Sequence, residues 1–321
     1  MSDRLKKILL YGVGAPFFFL FSVVLGAYLT FPYEHLRDFI VQEAERGGTM
    51  QIEIESIEPS WITGVELENV TIASVPEGDE EPTTTTIPHA EGRISLLALM
   101  GGTTEVTFGS ELAGNGSIEG EFSQSEESTH IQATLDNVHL AGLPIASAIG
   151  VPVAGRAEGE IDLTIGAEAV NTEGNVNLTI SNLAFADGET PIEIEGLGAG
   201  LTLERMDLGT LNFNLVVERG TGAVEELHAS GDHAEFWGAG SIRLAQQFER
   251  SSVDMLFRIA FSDEYKTSSP RMEGLFALLE INPQVRPART PAGAFQWRVT
   301  GSMGGRIRMI PSGNVPMPQA E

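Results

Sequence analysis

The residues with the clearest capacity for chemistry are two histidines and an aspartate in one short run, His228, Asp232 and His233. Imidazole and carboxylate together suit zinc. Their spacing, however, puts the histidines on opposite faces of a continuous strand or across a turn at Gly231, which makes a poor ligand pair. The acids Glu77, Asp79, Glu80 and Glu81 could attract calcium, but they lack the alternating ligand order of a calcium-binding loop and read as a solvated loop. The glycine groups at Gly114, Gly116, Gly120 and at Gly196, Gly198, Gly200 have no dinucleotide spacing and open no helix that could hold a phosphate, so they read as turn glycines. No nucleophile elbow, P-loop or zinc-protease motif occurs. With no cysteine, there is no thiolate and no disulfide. The chemistry-bearing residues therefore predict no enzyme, no cofactor and no metal.

Charge narrows the partners. The sequence holds 19 Lys and Arg against 45 Asp and Glu. Without Arg4, Lys6, Lys7 and Asp3, the rest carries 16 basic and 44 acidic residues, a net charge of −28. Nucleic acid is an improbable partner for such a chain. The C-terminal stretch is the exception, with Arg286, Arg289, Arg298, Arg306 and Arg308 against Glu321 alone from residue 284 onward. There Arg298, Arg306 and Arg308 flank Trp297, a set that could meet an acidic partner or an anionic headgroup.

Stepping from residues to elements, residues 8–33 carry no charge over 26 positions and follow three basic residues. Crossing a hydrocarbon core takes roughly 20 apolar residues, so this stretch predicts one membrane span. It is too long for the apolar region of a cleaved leader. Ile8, Leu20, Phe21, Val24 and Leu29 form its apolar body, and Tyr33 closes an outer aromatic belt with Tyr28 and Phe31. The positive-inside rule then assigns residues 1–7 to the cytoplasm, 8–31 to a single-pass anchor and the remainder to the outer side of that membrane. Leu36, Phe39, Ile40 and Ala44 recur at helical spacing and predict a short amphipathic helix over 32–48, one that caps the start of a β-structure.

From residue 49 the period changes to two. Alternation such as Gln51, Ile52, Glu53, Ile54, Glu55 predicts strands with one wet face, and glycine, asparagine or aspartate punctuates nearly every junction through residue 310. The expected fold is mainly β: an elongated, curved antiparallel meander behind the two N-terminal helices. Residues 76–88 read as an exposed loop, 96–100 as a helical turn plugging one end of the sheet, 144–149 and 270–279 as helices, and 311–321 as a flexible tail. A faint echo of the form apolar-x-Asn-apolar-x-apolar recurs at Leu67, Asn69, Val70, at Leu135, Asn137, Val138 and at Ile180, Asn182, Leu183. Its spacing is too uneven for a solenoid.

These pieces resemble a known family. The span running into Leu29-Thr30-Phe31-Pro32-Tyr33-Glu34, the helix ending in Gly47, and Glu58-Pro59-Ser60-Trp61-Ile62-Thr63-Gly64-Val65-Glu66-Leu67-Glu68-Asn69-Val70 resemble the N component of bacterial type II secretion systems, in the form common in deltaproteobacteria-like organisms. The burst from Ile94 to Met100 and the late Phe295-Gln296-Trp297 are similar too. The wider AsmA-like group of membrane-anchored envelope proteins shares this architecture. The first resemblance implies a non-catalytic scaffold subunit, anchored in the bacterial inner membrane with its bulk in the periplasm, whose partners are other inner-membrane or secretin components of the secretion machine. The second implies an envelope protein that binds or passes phospholipid along an apolar β-groove.

Overall fold

The computed structural model describes residues 33–45, 50–61, 63–74, 84–143, 151–192, 201–245, 250–303, 305 and 307–317. The expected tail at 1–7, the span over 8–31, the helix at 144–149 and Arg306 lie outside the described residues. Among the described residues no helix is long and apolar enough to cross a membrane.

The chain opens with helix α1 (Tyr33–Ala44), whose first turn carries Glu34, an acid well placed at the positive end of the helix dipole. Of the stripe expected from spacing, Leu36 and Ile40 are half-buried, as is Val41. Just past α1, the Glu45 carboxylate accepts a hydrogen bond from Ile52 N at 3.1 Å. That contact ties the helix to the start of β1 (Met50–Ser60), the first edge of the sheet.

Thereafter strand follows strand: β2 (Gly64–Ser74), β3 (Thr84–Ile94), β4 (Thr104–Leu112), β5 (Gly116–Gln124), β6 (Ser128–His139), β7 (Val153–Gly166) and β8 (Glu173–Phe185). After a two-stranded ribbon, β9 (Pro191–Ile192) with β10 (Leu201–Thr202), the series resumes with β11 (Met206–Glu218), β12 (Thr221–Ser230), β13 (Ala234–Arg243), β14 (Ser252–Phe261), β15 (Phe295–Ser302) and β16 (Arg308–Pro311). All but β9 and β10 join one 14-stranded sheet in sequence order, each strand antiparallel to the next. The mainly β, antiparallel meander read from alternation is thus the observed fold.

The asparagine echo marks a backbone device. Asn69, Asn137 and Asn182 sit at φ of 51, 48 and 52, the left-handed region that asparagine tolerates better than most residues. The ladder slips beside two of them, between Leu135 and Val138 on β6 and opposite Ala154 to Arg156 on β7. Such bulges bend a strand and raise its twist. The side chains secure the bends: Asn69 Nδ2 donates to Glu55 Oε2 at 2.6 Å, and Asn137 Nδ2 donates to Gly114 O at 3.1 Å.

Three sequence expectations are corrected. The loop read over 76–88 gives way to β3 from Thr84 onward, because β-branched threonines suit the pleat. Pro88 is tolerated there, since the β2 ladder passes from Glu68–His89 to Val70–Ile87 and β4 reaches only to His89. The turn at 96–100 is helical, α2 (Leu96–Met100), but it plugs nothing: Leu97 is 84 % and Met100 86 % exposed. Residues 311–315 are held rather than frayed. Gln296 is 0 % exposed, and its Nε2 donates to Ser312 O at 2.8 Å and Val315 O at 2.6 Å, while Gly313 N donates to Pro287 O at 2.9 Å.

Between β14 and β15 the chain folds two helices against one end of the sheet, α3 (Asp263–Lys266) and α4 (Pro270–Ile281). Both begin on a serine whose hydroxyl accepts from a backbone amide, Ser262 from Tyr265 N at 3.2 Å and Ser269 from Met272 N at 3.3 Å. Pro270 follows its cap at the first helical position, where a missing N–H costs nothing.

Candidate functional site

Each strand contributes one residue to a continuous row across the sheet, and the register names its members. From β1 to β8 it reads Pro59, Val65, Gly92, Phe108, Gly120, Ala133, Ile161 and Val176. From β11 to β16 it continues through Leu215, Val224, Gly240, Met255, Val299 and Met309. Every member is apolar or glycine. The glycines make room for their neighbours: a Cβ on Gly120 would lie 2.6 Å from the Phe108 ring. In the middle of the sheet the row is buried, as at Val176, Leu215, Val224 and Met255, but Pro59 is exposed and Met309 is 68 % exposed at the two edges. The other sheet among the described residues is the two-stranded β9–β10 ribbon.

The opposite face is built to another rule. One residue along, the register lines up Glu58, Glu66, Glu91, Gly109, Glu119, Thr134, Glu160, Asn177, Asn214 and Glu226. Like charges directly opposite one another are unfavourable in a sheet. Glu58, Glu66 and Glu91 therefore mark a face kept in water.

The apolar face ends in a cavity of about 430 Å³. Phe185, Met206, Phe261, Phe295 and Trp297 line it from the sheet, and Met272, Phe276 and Leu279 of α4 roof it. Aromatic rings set its walls: Phe261 meets Phe276 edge-on with centroids 5.0 Å apart, and Phe295 stacks on Trp297 at 6.0 Å. Its one hydroxyl, on Tyr265, points away to Glu204 O at 2.7 Å. A larger hollow of about 680 Å³ between α1 and β1 mixes the charged Arg37, Asp38, Glu45 and Glu53 with the apolar Val41, Ile52 and Ile54.

Burial, with the Glu204 carboxylate adding to it, pushes the Tyr265 phenol up to about 12. An unfolded tyrosine ionises near 10. The raised folded value means the phenol stabilises the fold fully below pH 10, and this contribution is lost as pH rises through about 12. Alkaline melts should show the α3–α4 cover weakening over that window, and Tyr265→Phe should flatten the loss. Wild type and variant losing stability in parallel between pH 10 and 12 would refute the assignment. Glu204 itself is held below the usual carboxylate range by hydrogen bonds from Ser269 and Ser268. One of these, from Ser268 Oγ, measures 2.7 Å.

The residues singled out for partner contact are divided between the two faces. Trp297 lies in the apolar cavity. Its neighbour Arg298 points to the other side, where Nε and Nη2 grip the two Asp254 oxygens at 2.6 Å each. This pair holds the Asp254 carboxyl below its ordinary range. Arg308 is exposed, on the same face as Arg298, since Arg298 stands opposite Ile310 and Arg308 opposite Thr300. The histidines are also apart: His228 stacks on Trp237 at 5.7 Å, and His233 stacks on Tyr265 at 5.1 Å while its Nδ1 accepts from Asp207 N at 3.0 Å. No cluster of three metal-ligating side chains occurs among the described residues. Sequence reasoning missed Phe185, Phe261, Met272 and Phe276 as site residues. Their signals were slight: Phe261 ends a predicted strand, Met272 and Phe276 fall in the 270–279 helix, and Phe185 closes the third asparagine echo.

Compared with family models, curated proteins and solved structures, the chain matches none.

Proposed function

We propose that this chain is a non-enzymatic, membrane-anchored protein of the bacterial envelope that shields the acyl chains of a phospholipid on a curved, elongated β-sheet. The observation that supports the reading is the row of fourteen apolar or glycine positions, one per strand, backed by an acidic face. The row is half-buried or exposed from Pro59 to Gly120 and closed over at Val176, Leu215 and Val224, and an apolar strip of that kind suits a flexible hydrocarbon chain better than a compact polar ligand. At about 0.8 kcal/mol per methylene buried, covering eight methylenes contributes roughly 6 kcal/mol. The AsmA-like resemblance and the expected span at residues 8–31 support the reading, under which the sheet would lie in the periplasm and the N-terminus in the cytoplasm.

Extraction of the purified full chain should release phospholipid detectable by mass spectrometry. Phe108→Glu, which sets a carboxylate in a half-buried part of the row, should lower that lipid several-fold while the β-sheet circular dichroism is retained. Wild-type protein that purifies folded and free of lipid would sink the proposal.

A second reading, a scaffold subunit of type II secretion, rests on the family resemblance and on one structural feature. At the β16 edge Ile307, Met309 and Ile310 are 49 %, 68 % and 45 % exposed, and an apolar sheet edge can accept a partner strand. Pull-downs of the membrane-extracted chain that never recover inner-membrane or secretin components would remove it.

A further inference from the structure

The exposed turn α2 does not stand alone. Ile94 N donates to Thr63 O at 3.2 Å, which brings the β3–β4 tip against the β1–β2 tip. Together they hold Trp61 at 77 %, Leu97 at 84 % and Met100 at 86 % exposure, with Leu96 and Leu99 about half exposed. The turn is ordered by its own bonds. Ser95 Oγ accepts from Ala98 N at 3.4 Å, and Gly101 N donates to Ala98 O at 2.9 Å. These bonds hold the backbone that carries the apolar side chains.

Charge sets these tips apart. Residues 94–104 contain no charged side chain, nor do residues 59–65, in a chain with 45 acids. The next two turns at the same end of the sheet are acidic, with Glu126 and Glu127 between β5 and β6 and Glu168 between β7 and β8. Exposed apolar clusters of this kind mark contacts with a protein or a membrane. The shape favours a membrane. A protein partner recognises close-packed complementary surface, whereas these are highly exposed single side chains on two neighbouring turns, with a tryptophan suited to the headgroup level. An anionic bilayer repels an acidic protein, and a charge-free tip is where such a protein can approach.

We infer that the paired tips, through Trp61, Leu97 and Met100, insert shallowly into a lipid bilayer as a second membrane contact. The strand β1 separates them from α1 by 11 residues, about 36 Å at strand rise. If both touch one bilayer, β1 to β3 lie along its surface.

The absence of native cysteine allows a direct test on the full chain. Leu97→Cys and, as control, Thr134→Cys on the acidic face each carry a fluorescent label, in nanodiscs of phosphatidylethanolamine and phosphatidylglycerol holding one copy each. At position 97, brominated lipid should quench the label several-fold more than at 134, and aqueous iodide should quench it less. A label at 97 that iodide reaches as freely as at 134 overturns the inference. So does shielding that appears only when two copies share a disc, which would assign the tips to a second copy of the chain. A chain that fails to associate with the discs at all overturns it together with the anchor at residues 8–31. Lipid-free protein with a quenched position 97 would remove the acyl-carrier reading alone.

Discussion

Gly159→Val is expected to abolish folding or to lower stability by about 3 kcal/mol or more. Gly159 lies mid-strand in β7 at φ +156, a conformation that side chains rarely adopt. A Cβ there would stand 2.1 Å from Asn177 O and 2.9 Å from Leu178 Cα on β8, contacts that backbone alone would have to relieve. Because β7 and β8 lie mid-sheet, the strain cannot be shed at an edge. Gly274→Ala supplies the contrast. Nothing lies within 4 Å of its Cβ position on α4, and removing a helix glycine should stabilise by about 0.5–1 kcal/mol. Urea melts of the two variants decide the matter, and a Gly159 variant as stable as wild type would contradict the packing of β7 on β8.

Gln296→Leu should cost about 3 kcal/mol and free the last described residues. The side chain it removes accepts from Arg258 Nε at 2.7 Å and donates to Ser312 O and Val315 O. Leucine fills similar space but takes the Gln296 partner from Val315 O and from the Arg258 guanidinium, and leaves Ser312 O with Val315 N alone. Unsatisfied groups of this kind carry most of the loss. Hydrogen exchange should show fast exchange at Ser312 N and Gly313 N, whose acceptors are Gln296 O and Pro287 O. Protection unchanged at both amides, with full stability, would show that the C-terminal segment is held by something else.

Alternation made the sheet legible. Ile52 and Ile54 against Gln51, Glu53 and Glu55 carry the period of a strand with one wet face. Single-residue periodicity could not show that fourteen strands pair in order, because that depends on the turns and the register. The asparagine echo was visible as letters but not as meaning, since a left-handed φ at Asn69, Asn137 and Asn182 is a backbone property. Residues 311–315 look like a tail because their anchor, Gln296, is polar and resembles a surface residue in the sequence. The cavity was the least legible part. Phe185, Phe261 and Phe276 are ordinary core letters until α4 folds over the sheet and leaves space among them. The α2 burst misled for the opposite reason: five apolar letters suggest burial, and only the hairpin geometry turns them outward.

The sequential order of the strands bears on biogenesis. In the main sheet each strand's partners are its nearest neighbours in the series, and among the described residues the only intervening strands are the short β9–β10 ribbon. A chain emerging N-terminus first from a ribosome or translocation channel can therefore lay down strand after strand on an edge already formed. No strand in that series waits for a distant part of the chain before it can pair. Synthesis and folding can proceed in the same direction at a similar pace, with a single growing edge exposed at any moment.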